Sequence, residues 1–323
     1  MDAQALWITG PGRMALQRET LAPPGPEEVL IRTCHSGVSR GTESLVARGA
    51  VPDSEHRRMR CPHQAGDFPF PVKYGYALVG IVEAGPADLL NRPVFALHPH
   101  QDRVVLPIAA VRPLPDGLPL RRAVLAANME TALNVVWDSS LGPGDRVLVV
   151  GAGVVGLLVA ALAASMPGTE VTITDLRAER AEIATALGLD FVGPSELPQD
   201  VDVAVNASGS AAGLQRAIDA AGREAVVVEA SWHGSAQAGL ALGGAFHARR
   251  LTIRSSQVGA LPPLRVPRWD HRRRLAMALT LLSRFPSLDR LIGSEIPFAE
   301  APSRLPPLLE PGADALCPVL TYP

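Results

Sequence analysis

Apolar positions along the chain change their period twice. From about 25 to 120 they come in short β-branched runs, "EEVLIRTCHSGV", "ALVGIVEAG", "RPVFALH" and "DRVVLPIAAV", each bounded by Gly, Pro, Asn or Asp. These predict short strands joined by turns, a mainly antiparallel β unit. From about 123 to 260, strand-like runs alternate with segments of helical period: "RVLVV", "VGLLVAALAASM", "EVTITD", "RAERAEIATALG", "DFVG", "VDVAVNAS", "AAGLQRAIDAAG", "EAVVVEAS" and "LTIRSS". Such alternation implies right-handed crossovers and a parallel sheet covered on both faces. "HRRRLAMALTLLSRF" reads as an amphipathic helix closing this unit, with the arginines of "RWDHRRR" as surface or interface groups. From about 286 to 323 the pattern returns to short strands and one proline-interrupted helix, which rejoins the first half. The expected fold class is α/β, with a doubly wound parallel sheet at 123–285 inserted into a mainly antiparallel β domain at 1–122 and 286–323.

Length and composition agree with two domains. The chain has 323 residues, 47% of them hydrophobic, enough to bury two cores. A formal net charge of -2 gives no reason to expect nucleic acid or a membrane surface as a partner. The N-terminus lacks the pattern of a signal peptide and no long apolar run follows, so a cytoplasmic protein is expected. Cys34, Cys61 and Cys317 stand far apart and form no C-x-x-C pair, which argues for reduced thiols rather than a disulfide framework or a cysteine-rich zinc site.

Gly151, Gly153 and Gly156 form G-x-G-x-x-G. The motif is weak alone, but here it follows an aliphatic strand and opens a helix, and Asp175 ends the next strand about 20 residues on. The first glycine permits the turn, the second admits the pyrophosphate, and the third lets helix and strand pack. The amides of Val154 and Val155 at the helix start would face the phosphates. Asp175 would accept from the ribose hydroxyls of NAD and repel the 2'-phosphate of NADP. Arg177 and Arg180 soften that preference, so NADP stays open.

The chain resembles the medium-chain dehydrogenase/reductase superfamily over nearly its whole length. The carriers are "SGVSRGTE" (36 to 43), similar to the family's G-x-C-G-T-D; "FPVKYGYALVGIVEAG" (70 to 85), similar to P-x-x-x-G-H-E-x-x-G-x-V; and "GDRVLVVGAGVVG" (144 to 156). "SGVSRGTE" is particularly similar to a zinc-free branch that includes the hydroxyethyl-bacteriochlorophyllide dehydrogenases. The resemblance implies a Rossmann dinucleotide-binding domain inserted into a GroES-like catalytic domain, and a homodimer joined along edge strands, with "LTIRSS" as the edge here. Zinc-dependent members hold a catalytic metal with Cys, His and Cys or Glu; those positions fall here on Ser39 or Arg40, on Tyr76 and near Ala127. The family's usual relay histidine corresponds to Leu45, and the four-cysteine structural lobe is absent. No metal is therefore expected.

A metal-free hydride-transfer site needs hydrogen-bond donors for the substrate oxygen. Tyr76 is the first acid/base candidate, against its alternative as a core tyrosine. Ser39 and Thr42 are candidates for donation or relay, Arg40 for an oxyanion or a cofactor phosphate, and Glu130 for a second general base. Thr131, matching a family threonine, together with Ser208 and Ser256 and Val258 in "SSQVG", are cofactor candidates. His98 and His100 in "HPHQD" would share one face if on a strand. They are substrate candidates, as are Trp232 in "EASWHG" and Arg57 in "EHRRMRCPHQ". The expected activity is oxidoreduction of an alcohol/carbonyl pair with NAD. An NADPH-dependent C=C reductase and a non-catalytic dinucleotide-binding protein remain as alternatives.

Overall fold

The computed structural model describes all 323 residues and divides into two units, Met1–Ala127 with Leu279–Pro323, and Asn128–Ala278. Helices Ala126–Ser139 and His271–Arg284 carry the chain through the two junctions. Each junction thus falls within a helix, whereas the sequence pattern puts the changes of rhythm at 122/123 and 285/286.

The first unit is built on antiparallel pairing. The strand Glu28–Gly37 pairs antiparallel with Leu78–Ala84, Arg103–Pro107 and Cys317–Thr321, so the C-terminal strand does return to the first half of the chain. Val29, Ile31, Leu78, Val82, Val94, Val104 and Leu106 form its core. Ahead of the region where the sequence signals strands, Asp2–Gly10 and Arg13–Thr20 form a hairpin, and Gly12 supplies the positive φ of 63° that its tight turn requires. The segment 100–102 is laced between two strands. Leu6 N–H donates to His100 O at 2.9 Å, Asp102 N–H to Gln4 O at 3.0 Å, and Thr33 N–H to Asp102 O at 2.8 Å.

The second unit is a six-stranded parallel sheet. Its order is Asp190–Val192, Glu170–Thr174, Arg146–Val150, Val201–Asn206, Ala221–Glu229, Thr252–Ser255. The run "RVLVV" is buried at all but its first residue, as a strand covered on both faces must be. Leu148, Val150, Ala204, Leu214, Ile218 and Val227 share one core cluster. Parallel register puts Thr174, Val150, Asn206, Glu229 and Ser255 in one row at the carboxyl edge of the sheet. No helix of the chain is long and apolar enough to cross a membrane.

Candidate functional site

In the second unit, the turn after Arg146–Val150 has the shape of a phosphate cradle. Gly151 has φ 107°, and a Cβ there would lie 2.7 Å from the backbone of Ala207 and Ser208. A Cβ on Gly156 would stand 1.9 Å from Gly151 O, so only glycine lets the helix Val154–Ala164 pack on the turn. Gly153 differs, because a Cβ there would meet nothing within 4 Å. Its open side adjoins the helix start, where the Val154 and Val155 amides begin. Asp175 closes the far side. Its Oδ2 accepts from Ala152 N–H at 2.7 Å and its Oδ1 from Arg177 N–H at 3.0 Å, which fixes the carboxylate against the turn with lone pairs to spare. These residues fit a dinucleotide, with Gly151, Gly153 and Gly156 around the pyrophosphate and Asp175 at a ribose.

Further along the same edge, Asn206 Nδ2 donates to Glu229 Oε2 at 2.7 Å and Ser231 N–H to Glu229 Oε1 at 2.7 Å. Ser208 Oγ bonds Asn206 Oδ1 at 2.7 Å. His233 Nε2 lies 3.2 Å from Glu229 Oε2, and Trp232 beside it is half-buried. Ser256 Oγ donates to Asp138 Oδ2 at 2.7 Å, and burial pushes the Asp138 carboxyl up. Thr131 is half-buried on the helix Ala126–Ser139.

Two expectations are corrected here. Glu130 is not held as an available base: it is buried and ion-paired to Arg274 at 3.0 Å. Arg274, one of the "RWDHRRR" arginines read as surface groups, is 1% exposed and also donates to Asn134 Oδ1 and Val258 O. Helical period explains both corrections, since Arg274 lies on the apolar face that its exposed neighbours Arg272 and Arg273 do not share.

In the first unit, the helix Arg40–Ala47 begins at Ser39. Tyr76 stands just before the strand Leu78–Ala84, and its phenol hydrogen-bonds with the side chains of Ser39 and Thr42. Residues three apart on a helical turn are neighbours, so the two hydroxyls approach one oxygen together. Burial and then the charge of Glu43 raise the Tyr76 phenol above its usual value, and the two hydroxyls oppose this. The phenol therefore stays protonated at neutral pH. Tyr74 packs edge-on against Tyr76, with ring centroids 6.1 Å apart.

Glu43, which the sequence reading passed over, organises this cluster. Its Oε1 accepts Ser39 N–H at 2.8 Å, holding the start of the helix, and its Oε2 lies 3.0 Å from His100 Nε2. His100 Nδ1 is 2.7 Å from Ser36 Oγ, which is 2.8 Å from Tyr322 Oη. Glu43, His100 and Ser36 are all buried. The ring of His100 covers Gly75, where a Cβ would come within 2.9 Å of it at a φ of 126°. The signal available in the sequence was the last letter of "SGVSRGTE", an acid one helical turn past Ser39.

The condition under which the two histidines would share one face, a strand, is not met. "HPH" follows the strand Pro93–Ala96 as a non-strand connection. His98 turns to stack on His63, with ring centroids 5.4 Å apart, and its Nδ1–H donates to Pro99 O at 2.9 Å. His100 turns inward and has both ring nitrogens engaged, which removes it as a substrate contact. Arg40 is occupied as well, its Nε donating to Leu308 O at 3.0 Å rather than facing an oxyanion. Arg57 is exposed in a turn.

No three His, Cys, Asp or Glu side chains converge as a metal group. The Cys61 thiol, nearest in kind to a zinc ligand, is pushed up to about 12 by burial.

A family model described as the C-terminal domain of alanine dehydrogenase/PNT matches residues 140–231, the span of the cradle and of Asp175. L-galactonate-5-dehydrogenase of Escherichia coli K12 is 35% identical over 120 residues, 37% of this chain and 34% of that enzyme, so about a third of that relative's length is spanned. D-guloside 3-dehydrogenase of E. coli K12 is 26% identical over 306 residues, 85% of this chain and 87% of that one. Among solved structures, L-idonate 5-dehydrogenase of E. coli superposes with a TM-score of 0.81 at 14% identity, over 100% of this chain and 99% of that one. Together with the inserted parallel sheet and its glycine turn, these findings make the chain similar in sequence and in fold to alcohol-dehydrogenase-like enzymes.

Proposed function

We propose that this protein is an NAD(P)-dependent oxidoreductase of an alcohol/carbonyl pair, that it prefers NAD, and that it works without zinc. The observation that carries the reading is the Tyr76 phenol, bonded to Ser39 and Thr42 where zinc-dependent members keep metal ligands. A nicotinamide held by the second unit supplies or accepts the hydride. When a carbonyl is reduced, the electron pair of the C=O π bond moves to oxygen, and Tyr76 Oη gives that oxygen its proton. Ser39 and Thr42 hold the phenol oxygen in place and stabilise it as charge develops there. In oxidation Tyr76 receives the proton. Asp175 supports NAD over NADP, because a carboxylate beside the ribose repels a 2'-phosphate. The names of the relatives, dehydrogenases of sugar acids and glycosides, support a secondary alcohol as the reacting group.

The test begins with purified, metal-analysed protein titrated with NADH and NADPH by nicotinamide fluorescence, for the wild type and Asp175→Ala. NADH should bind more tightly, the variant should lose the preference, and zinc should be far below one equivalent. Turnover of a panel of secondary polyols with NAD should then fall by about 10²-fold or more in Tyr76→Phe, with NADH affinity unchanged. Better binding of NADPH would favour C=C reduction, stoichiometric zinc would sink the metal-free site, and NADH binding without turnover would make this a binding protein.

A further inference from the structure

The second unit repeats one arrangement twice. Its six strands form two sets of three: Arg146–Val150, Glu170–Thr174 and Asp190–Val192 step out to one side of the sheet, and Val201–Asn206, Ala221–Glu229 and Thr252–Ser255 to the other. In each set a turn leads from the first strand into a helix, Val154–Ala164 or Ala211–Ala220, whose third residue is a glycine. A Cβ on Gly156 would stand 1.9 Å from Gly151 O, and a Cβ on Gly213 2.0 Å from Ser208 Oγ. Both helices thus press on the turn before them at the same point. "GAGVVG" (151 to 156) and "SGSAAG" (208 to 213) are two copies of one spacing.

Each set also carries an acid at the end of its middle strand. Asp175 follows Glu170–Thr174, and Glu229 ends Ala221–Glu229, one place earlier in register but one methylene longer. Asp175 accepts from Ala152 N–H in the turn 23 residues before it, and from Arg177 N–H two residues on. Glu229 accepts from Asn206 Nδ2, again 23 residues before it, and from Ser231 N–H, again two residues on. His233 Nε2 lies 3.2 Å from Glu229 Oε2 but forms no hydrogen bond with it. Each carboxylate oxygen of Glu229 therefore holds one hydrogen bond and keeps acceptor capacity for a ligand. The two sets differ where the helix starts. Gly153 leaves open space for a phosphate, whereas Ser210 Oγ accepts Gly213 N–H at 3.0 Å, so the chain caps the second helix itself. The second set keeps the acid and fills the phosphate's place.

A dinucleotide carries two riboses, and a doubly wound sheet has one nucleotide-binding half for each. We propose that Glu229 accepts hydrogen bonds from the hydroxyls of the nicotinamide ribose, as Asp175 does from those of the adenosine ribose; this rests on the reading of the second unit as an NAD(P) site given above. Asn206 and Ser231 fix the carboxylate in advance, so it meets the sugar without reorganising. Hydrogen bonds to an ionised acceptor are the strong ones, and two hydroxyls on one sugar suit two carboxylate oxygens. The sugar bears the nicotinamide, so holding it restricts the position of the ring at the carboxyl edge of the sheet. Glu229 touches the sugar and takes no part in the hydride transfer.

Three ligands separate the parts of the site by calorimetric titration: ADP, which ends at the pyrophosphate, ADP-ribose, which adds the second sugar, and NADH, which adds the ring. Glu229→Ala should weaken ADP-ribose and NADH alike, by about tenfold or more, the effect of losing a hydrogen bond to a charged acceptor, and leave ADP unchanged. Asp175→Ala should weaken all three, because each contains the adenosine ribose. Weakening of ADP by the same factor in Glu229→Ala would make the side chain merely structural, and weakening of NADH alone would put it at the ring. Either result overturns the assignment, as do wild-type affinities for ADP-ribose and NADH in the variant. If Glu229→Ala does not fold, the wild-type protein decides: an NADH analogue with 2′,3′-dideoxyribose on its nicotinamide should bind about tenfold more weakly than NADH, and equal binding overturns the proposal. Wild-type protein that binds none of the three ligands overturns the dinucleotide site itself.

Discussion

Arg274 and Glu130 meet 3.0 Å apart within the second unit, with side chains only 2% and 6% exposed. Arg274 comes from the helix His271–Arg284 and Glu130 from Ala126–Ser139, and the guanidinium also reaches Asn134 and the carbonyl of Val258. One side chain thus ties two helices to the loop that follows the edge strand Thr252–Ser255. Removing either charge alone takes away the buried counter-charge of the other. Arg274→Met and Glu130→Gln should each lose about 3–5 kcal/mol of stability in urea unfolding, and the double change Arg274→Met with Glu130→Leu should recover much of it. Equal losses that add in the double variant would show that the two side chains act independently.

The glycine turn makes two opposite predictions from neighbouring residues. Gly153→Val adds its side chain to open space, so the melting temperature should stay near that of the wild type while NADH affinity falls about tenfold or more, the added methyls occupying the pyrophosphate's approach. Gly156→Ala forces a methyl to within 1.9 Å of Gly151 O, so it should lower the melting temperature itself. Thermal unfolding and fluorescence titration of both proteins separate the two effects. A Gly153→Val protein that binds NADH normally would show that the open side does not receive the dinucleotide.

Thiol reactivity follows burial. Cys61 and Cys317 are pushed up to about 12 by burial, and Cys34, half-buried, is raised by burial against the pull of Arg32. An aromatic disulfide reagent at pH 8 should therefore modify Cys34 first, and reach Cys61 and Cys317 only after denaturant is added. Rapid labelling of Cys61 in the native protein would contradict its burial.

The parallel sheet, the glycine turn and Asp175 were legible because each depends on local sequence. An aliphatic run, a turn that admits only glycine and an acid at the next strand end all lie within about 30 residues. Tyr76, Ser39 and Thr42 were legible only through the family resemblance, since 76 and 39 meet by tertiary folding. Glu43 and His100 escaped because their partnership spans 57 residues and depends on 100–102 being drawn in between two strands. For the same reason the alternation of "HPH" does not become a strand, since backbone pairing with Gln4 and Leu6 at 100–102 is confined to an isolated bridge. Arg274 was misread through charge alone, because a run of arginines looks solvated until the helix phase turns one of them inward.

His98 should make the protein lose stability on mild acidification. Burial lowers its imidazole from 6.5 to about 3, and the hydrogen bond to Pro99 O only partly offsets this. Between those two values the unfolded chain binds a proton that the folded one excludes. Stability is therefore complete above about pH 6.5 and falls as pH drops toward 3, by up to about 1.4 kcal/mol per pH unit. His63, stacked on His98, and His35 are also lowered by burial and act in the same direction. Carboxylates in the unfolded chain titrate mainly below about pH 5, so the interval from 6.5 to 5 belongs to the histidines. Urea midpoints measured across that interval should fall steeply for the wild type and less steeply for His98→Gln, which keeps a side-chain amide able to donate to Pro99 O but has no proton to gain. Identical slopes would mean that His98 takes up its proton in the folded state, and that its ring and that of His63 separate to let it do so.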